Sequence, residues 1–520
     1  MGVDRTLADT RNPAKWSFLV PVVIVLLGLF FRLYRLDDQS LWDDEVFSLS
    51  VSRLPINQMH PILVADVVHP PLHYYILHVW SQLVGSASFQ ARLLSVIFGT
   101  VAIAVLYMLA KYLLDRRTAI LSAALFAVSQ ISIQFSQEAR PYAQVSLLAL
   151  CSTYLFIRAL LERKALFWWL SIGSLLLTIQ THYFGSFLVP AFVAAAVVSR
   201  KEHRIPKSWW IGGTTLILAS YVVWFSSGVL HQVLYGPKIA RSLGKSFSEH
   251  WYSVFELVTV FNNGRADGIA APVVPWSYLL GGVVFGIPAI AALIPLFRRV
   301  EDTSRRLRDS IAFLFLLCAI PVGLALVAGR VIRFYDARYI GYCAAPYYIL
   351  VARGWSLFKL PAWRIPVIMV GLLYSIYALR AVYFIPYKQN YRDALAYVSA
   401  HSMTGDCYAY DSIAPLLRGT ELRRAWDFFF QGGQREWAIK PVESVVRMPC
   451  QRVWFVTTWI AENPALAAAV RRDRAQLETD FTLTDVRSYY RVEVALYERD
   501  ATRQSAVARH QTTRAVERLP

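Results

Sequence analysis

Between the first and second hydrophobic segments the chain reads Leu36-Asp37-Asp38-Gln39-Ser40-Leu41-Trp42-Asp43-Asp44-Glu45. The same loop, Leu36 to Arg92, later carries Val68-His69-Pro70-Pro71-Leu72-His73-Tyr74-Tyr75. A charge placed in hydrocarbon costs about 3 kcal/mol even on lenient scales, so acids this dense beside a bilayer-spanning segment belong at the water interface or in a polar cavity. The first expectation is therefore a loop with a chemical task, set in a membrane protein.

Composition widens that reading. The chain has 520 residues, 56% hydrophobic and 17% charged, with a mean hydropathy of +0.40, values of a polytopic membrane protein rather than a soluble enzyme. The formal net charge of +18 would suggest a nucleic-acid partner, but the basic residues collect in short loops, which excludes that class. Arg5, Arg11 and Lys15 precede the apolar run Trp16 to Phe31, read as a retained signal anchor. Basic clusters recur at Lys111/Arg116/Arg117, Arg158/Arg163/Lys164, Arg200/Lys201/Arg204/Lys207, Arg298/Arg299/Arg305/Arg306/Arg308 and Arg353/Lys359/Arg364, marking every second loop. By the positive-inside rule the N-terminus is cytoplasmic, the acidic first loop lies outside, and about eleven transmembrane helices leave the C-terminus outside.

The expected fold is thus an α-helical polytopic membrane protein with a small C-terminal extracytoplasmic α/β domain. Residues 1–385 form the membrane module, with 36–92 as its first outer loop and 231–275 as a second long outer loop, too long for a plain connector. Composition changes at Pro386. Over 386–500, helical periodicity at Tyr391 to His401 and Pro464 to Glu478 alternates with strand patterns at Gly405 to Tyr410, Arg452 to Thr457 and Tyr489 to Tyr497. Residues 501–520 read as a polar, disordered tail. Cys407 and Cys450 fall in this outer domain and are expected to pair, whereas Cys151, Cys318 and Cys343 lie in spans.

Candidate chemistry gathers on the outer side. Asp44 and Glu45 can be read two ways: as first-turn acids of a short helix through Phe47 to Val51 capped by Asp43 or Asp44, or as carboxylates tuned to take a proton from a hydroxyl. The two are compatible. His69 precedes Pro70-Pro71, which pre-set a helix from Leu72 to Gly85. Asp66, His69 and His73 imitate a metal-ligand spacing, but the prolines break its geometry, and the sequence leaves a divalent metal open. Glu138 and Arg140, two apart at a hairpin top, do not face each other and point to different partners. His182 and Tyr183 stand at the next outer turn. Arg333 and Arg338 lie where topology calls for no positive charge and suit a phosphate, lipid headgroups, or a pair with Asp336.

Taken in order, Leu41-Trp42-Asp43-Asp44-Glu45, His69-Pro70-Pro71-Leu72, Gln137-Glu138-Ala139-Arg140-Pro141-Tyr142, Thr181-His182-Tyr183 and Arg338-Tyr339 resemble the GT-C superfamily of polytopic glycosyltransferases. The resemblance covers most of the chain and lies with the bacterial branch similar to protein O-mannosyltransferases and aminoarabinose transferases. It implies inverting transfer of a sugar from a polyprenyl-phosphate donor to an acceptor glycan, glycolipid or protein. In that reading Asp44 is the base or the acid that positions the acceptor, with Glu45 and Glu138 as further catalytic acids. His69, Arg140, Tyr142, His182, Tyr183, Arg333, Arg338 and Tyr339 bind substrate. Aminoarabinose transferases carry a lysine where this chain has His69, which is closer to the His-Pro of the mannosyltransferases. The implied setting is the bacterial inner membrane, multi-pass, with the active site facing the periplasm or cell exterior. The alternative from another class is a transporter or flippase of a lipid-linked saccharide, which would place ionisable groups near the midplane and show repeated halves.

Overall fold

The structure is a computed structural model that describes residues 18–66, 69–199, 205–229, 261–262, 279–297, 302–332, 337–357, 361–410, 418–429, 439–458 and 464–500. These described residues are mostly helical, at 75%. The chain divides into two compact units: Met1–Leu36 with Pro55–Ile385, and Asp37–Leu54 with Pro386–Pro520. The outer loop expected as one piece over 36–92 is therefore split, its acidic part packing with the C-terminal residues and its remainder with the helices.

In the first unit, six helices among the described residues are long and apolar enough to cross a bilayer: Ser88–Leu113, Tyr142–Glu162, Lys207–Gly228, Leu279–Leu296, Arg305–Ala328 and Arg364–Tyr383. Ser88–Leu113, at 26 residues, is about 39 Å long at 1.5 Å per residue. The apolar run expected as one span over Thr118 to Phe135 is instead Arg116–Ala127 and Gln130–Ser136, bent by 57°. Ser129 makes the break: its Oγ accepts the amide of Ser132 as an N-cap and pairs at 2.8 Å with the Tyr348 hydroxyl. Counting the bent pair as one gives seven. Leu19–Leu33, Ala165–Thr181 and Tyr183–Val198 are apolar but shorter, which is why fewer helices meet the length than the eleven expected.

The break carries Ser132 and Ser136 to Arg32, which is wholly buried. Its Nε donates to Ser136 Oγ at 3.1 Å, its Nη2 to Ser132 Oγ at 2.6 Å, and its Nη1 to the carbonyls of Gly28 and Ala127 at 2.9 and 3.3 Å. Gly99 lies against this group, and a Cβ there would strike Ser136 Oγ. Helix Ala344–Leu357 runs through the core, with Trp355 fully buried and donating to the Val284 carbonyl. Gly354 lets it approach Ile287–Ala291 so closely that a Cβ would strike the Pro288 carbonyl.

The second unit is built on a mixed sheet of five strands: β1 (Cys407–Tyr410), β2 (Lys440–Pro441), β3 (Arg452–Thr458), β4 (Phe481–Tyr489) and β5 (Val492–Arg499). Their order is β2-β1-β3-β5-β4, with β1 parallel to β2 and β3, and β5 antiparallel to β3 and β4. Val453, Phe455, Ala495 and Tyr497 form its core with Val470 and Leu477 of helix Pro464–Leu477. Cys407 and Cys450 are joined by a disulfide, tying the start of β1 to the approach to β3. The apolar run expected as a strand from Tyr489 begins at Val492, after a tight turn in which Arg491 takes φ 59°. Strand β4 escapes a pattern search because it is an edge strand whose side chains are mostly exposed. The long loop 231–275, apart from Phe261 and Asn262, and the tail 501–520 lie outside the described residues.

Candidate functional site

Within the first unit, chain turns and helix starts bring together residues from distant parts of the sequence. His69 stands just before helix Leu72–Leu83, which begins after Pro71. Arg140 stands just before helix Tyr142–Glu162, which begins after Pro141. In both places the proline sits where no amide partner is lost. His182 caps the short helix Tyr183–Phe187: its Nδ1 accepts the Phe184 amide at 3.2 Å, so in the neutral ring the proton is on Nε2. Arg338 and Tyr339 belong to the turn of helix Ala337–Cys343.

The distances define one cluster. Arg140 Nη2 donates to His69 Nε2 at 3.4 Å, and the rings of His69 and His182 meet edge to face at 5.2 Å. His182 also lies 5.1 Å from Tyr339 and 6.1 Å from Tyr142. Tyr142 is shared by two cations, with Arg338 Cζ 5.9 Å and Arg140 Cζ 6.0 Å from its ring centre. His69, Arg140, Tyr142, His182 and Tyr339 are all buried, while Arg338 is half-buried.

Electrostatics agree with the geometry. Burial first, then the positive charge of Arg140 and the neighbouring His182, His73 and Arg338, holds the His69 imidazole well below its ordinary range. His69 is therefore a neutral imidazole at physiological pH. His73, one helical turn on, is lowered to about 4, mainly by burial and further by Arg140, against the hydrogen bond to Gln144 and the carbonyl of Ala139 that pull the other way. The ring nitrogen of His73 and Gln144 Oε1 lie 3.0 Å apart, and Gln144 Nε2 donates to Thr181 Oγ1 at 2.9 Å. Gln144 and Thr181 thus join helix Leu72–Leu83 to the His182 turn. Gln144 escapes a search for chemistry-bearing residues because a glutamine in an apolar helix reads as an ordinary polar interruption; its place one turn after Arg140 is the only signal.

Two further predicted residues have hydrogen bonds of their own. Glu138 is buried and accepts from Gln134 Nε2 at 3.4 Å, while Gln137 donates to the carbonyls of Arg32 and Tyr34. Tyr183 points elsewhere, its hydroxyl accepting from Trp224 Nε1 at 2.9 Å. Arg333 lies outside the described residues. Asp66, His69 and His73 do not assemble, and among the described residues no three His, Cys, Asp or Glu side chains gather at metal-binding distance.

The second unit holds the acidic motif. Its helix is Asp43–Ser52, with Trp42 at the N-cap and no side-chain cap. The cap expected from Asp43 or Asp44 is thus not made; the three acids fill the first turn instead, where the helix dipole favours them. Glu45 is fully buried in an ion pair with Lys388, Oε2 to Nζ 3.0 Å. Asp43 accepts from Gln389 Nε2 at 2.7 Å and from the Tyr391 hydroxyl. Asp44 is half-buried, and its backbone carbonyl accepts Ser48 Oγ. Lys388, Gln389 and Tyr391 were invisible to sequence reasoning because nothing local links them to a motif some 340 residues earlier.

Residues 68–225 match the family model described as dolichyl-phosphate-mannose-protein mannosyltransferase, a stretch that contains His69, Glu138, Arg140, Tyr142, His182 and Tyr183. The fold is similar over nearly the whole chain to that of ArnT from Cupriavidus metallidurans in the apo state: TM-score 0.58, 14% identity, 91% of this chain and 97% of that one. This chain has the GT-C fold. ArnT from the same organism bound to undecaprenyl phosphate matches at TM-score 0.56 and 14% identity, over 93% and 98% of the two chains. The archaeal oligosaccharyltransferase AglB from Archaeoglobus fulgidus, in complex with an inhibitory peptide and a dolichol-phosphate, matches this chain at TM-score 0.50 and 12% identity, over 94% and 74%. No curated protein sequence is a significant match.

Proposed function

We propose that this GT-C chain is an integral membrane glycosyltransferase that moves a sugar from a polyprenyl-phosphate donor to an acceptor hydroxyl outside the cytoplasm, with inversion. The observation that carries the reading is the gathering of Arg140, Arg338, His69 and His182 around Tyr142. Three further points support it: the mannosyltransferase match over 68–225, the shared fold, and the polyprenyl phosphates carried by two structural neighbours.

In the proposed reaction the acceptor oxygen attacks the anomeric carbon while its proton passes to the Asp44 carboxylate. The bond from that carbon to the phosphate oxygen breaks, and its electron pair leaves with the polyprenyl phosphate. Positive charge builds on the ring and negative charge on the phosphate. Arg140 and Arg338 would bind the phosphate oxygens, where fixed guanidinium donors stabilise the leaving charge. The neutral His69, whose Nε2 accepts from Arg140, would hold that guanidinium in place and would not compete as a second cation. A single displacement on one face inverts the anomeric centre.

The acceptor would be a glycan, glycolipid or protein, and the setting the bacterial inner membrane with the reaction facing the periplasm or exterior. The Cys407–Cys450 disulfide supports an oxidising compartment for the second unit. No observation favours the transporter reading.

The experiment is Asp44→Asn, read as sugar transferred by the purified full-length protein in nanodiscs. Undecaprenyl-phosphate-linked mannose, glucose, galactose and arabinose are tried in turn, with a membrane extract as acceptor. A lost general base costs on the order of 10³-fold, so turnover is expected to fall by about that factor with folding intact. Near-wild-type turnover in the variant, or no transfer by the wild type from any of these donors, would sink the proposal.

A further inference from the structure

A short segment of the second unit, Tyr387 to Arg392, holds the acidic loop at several points. We infer that this segment, with the Glu45–Lys388 pair as its centre, is the device that aims Asp44. The inference rests on the reading of Asp44 as the base.

Ahead of the helix, Gln39 Oε1 accepts the amides of Tyr387 and Lys388 at 3.2 and 3.4 Å, and Ser40 Oγ accepts the amide of Arg392 at 3.1 Å. The Arg392 guanidinium donates to the carbonyls of Asp37 and Asp38, each at 2.9 Å. Inside the first turn, Asp43 is held by Gln389 and Tyr391, and Glu45 by Lys388. Successive helical side chains leave the axis about 100° apart. Asp43 and Glu45 are thus fixed on two different bearings with Asp44 between them. A helix pinned on two bearings cannot turn about its axis, so the direction of Asp44 is set by its neighbours.

Stability alone does not account for the central pair. Glu45 and Lys388 are 0% and 2% exposed, and a pair buried so completely is often replaced by apolar residues of similar size without loss. Such a substitution would keep the packing but not the direction that a hydrogen-bonded ion pair imposes. Lys388 and Glu45 are accordingly positioning residues: neither is assigned contact with sugar or phosphate. This changes the role of Glu45, which the sequence places beside Asp44 as a second catalytic acid.

The test uses the same nanodisc assay with the donor that the wild type turns over, normalised to folded protein. The variants are Lys388→Met, Lys388→Arg and the double variant Glu45→Met with Lys388→Met. A displacement of about 1 Å at a reacting group costs on the order of 100-fold. The double variant is therefore expected to fold as well as the wild type yet lose about 100-fold in kcat, with KM for the donor unchanged within about threefold. Lys388→Arg, which keeps the charge, should retain at least about a tenth of kcat.

The pH profile separates aim from simple support. In Lys388→Met the Glu45 carboxylate, next to Asp44 in the chain, loses the ammonium 3.0 Å from it, so the acid limb of kcat/KM is expected to move up; in the double variant the limb returns while kcat stays low. If Lys388→Met does not fold, Tyr391→Phe, which loosens only the Asp43 arm, should still lower kcat about tenfold at constant KM. A double variant with wild-type kcat, or losses confined to the amount of folded protein, would overturn the positioning role. That failure is distinct from failure of the reaction itself, which Asp44→Asn reports.

Discussion

In the second unit the first-turn acids Asp43 and Glu45 meet donors that the chain itself supplies, Tyr391, Gln389 and Lys388. In the first unit Tyr142 stands among two guanidiniums, the His182 imidazole and the Phe135 ring, and burial together with Arg140, His182, His73 and Arg338 holds the neighbouring His69 neutral. Both regions gather charged residues in an apolar chain, yet their described contacts differ: in one, acids meet hydrogen-bond donors, and in the other, guanidiniums meet imidazole and an aromatic face. The lesson is that a charged motif marks a functional region without saying which of its members act. On the proposed reading, Asp43 and Glu45 hold the helix, and Arg140 and Arg338 meet the phosphate.

The first way to break this contrast is to cut the support of the second unit alone. The Cys407–Cys450 bond closes a separation of 43 residues, for which the chain-entropy relation gives about 4 kcal/mol. Replacing both cysteines by serine is expected to destabilise the second unit by about that amount and leave the helices of the first intact, as hydrogen exchange resolved by segment would show. Equal loss of protection in both units would contradict a separate core.

A smaller effect falls on the cationic cluster. Arg338→Ala and Arg140→Ala each remove one charged donor and should lower kcat/KM for the polyprenyl-phosphate donor about 100-fold, close to 2.7 kcal/mol. Arg364→Ala, in a basic cluster assigned to the cytoplasmic side, should change it less than about threefold. Steady-state titration of the donor decides, and equal losses for Arg338 and Arg364 would refute the phosphate assignment.

A third effect is one of acidity. His69 and His73 have folded pKa values below the ordinary imidazole range, His73 at about 4. Between about pH 6.5 and 4 the unfolded chain binds protons that the folded chain refuses, so stability is present above 6.5 and lost as pH falls, by about 1.4 kcal/mol per pH unit for each histidine. Thermal unfolding followed from pH 7 to 4.5 should show the midpoint falling, and His73→Gln should flatten the slope. A slope unchanged by that substitution would remove His73 from the effect.

Much of this was legible in the sequence because a bilayer leaves few places for polar residues. His69, Arg140, Tyr142, His182, Arg338 and Tyr339 all stand at turns of apolar segments, and the structure brings them within a few ångströms of one another. Contacts with no local signature escaped. Lys388 meets Glu45 across the length of the chain, Gln144 sits within a helix whose pattern reads as plain apolar, and β4 is an exposed edge with no alternation to find. The break at Ser129 was hidden for another reason: the run from Thr118 to Phe135 carries no charged residue, and neither Pro nor Gly announces it.

That break has a consequence for Arg32. Its guanidinium, deep in an apolar interior, is surrounded by two serine hydroxyls and two peptide carbonyls, so the protein supplies from its own dipoles the coordination that liquid water would otherwise give. Three nitrogens in one plane reach four oxygens on three helices, a fan that the single ammonium of a lysine could not spread. At this position the chain has built a solid solvent, cut to the outline of one side chain.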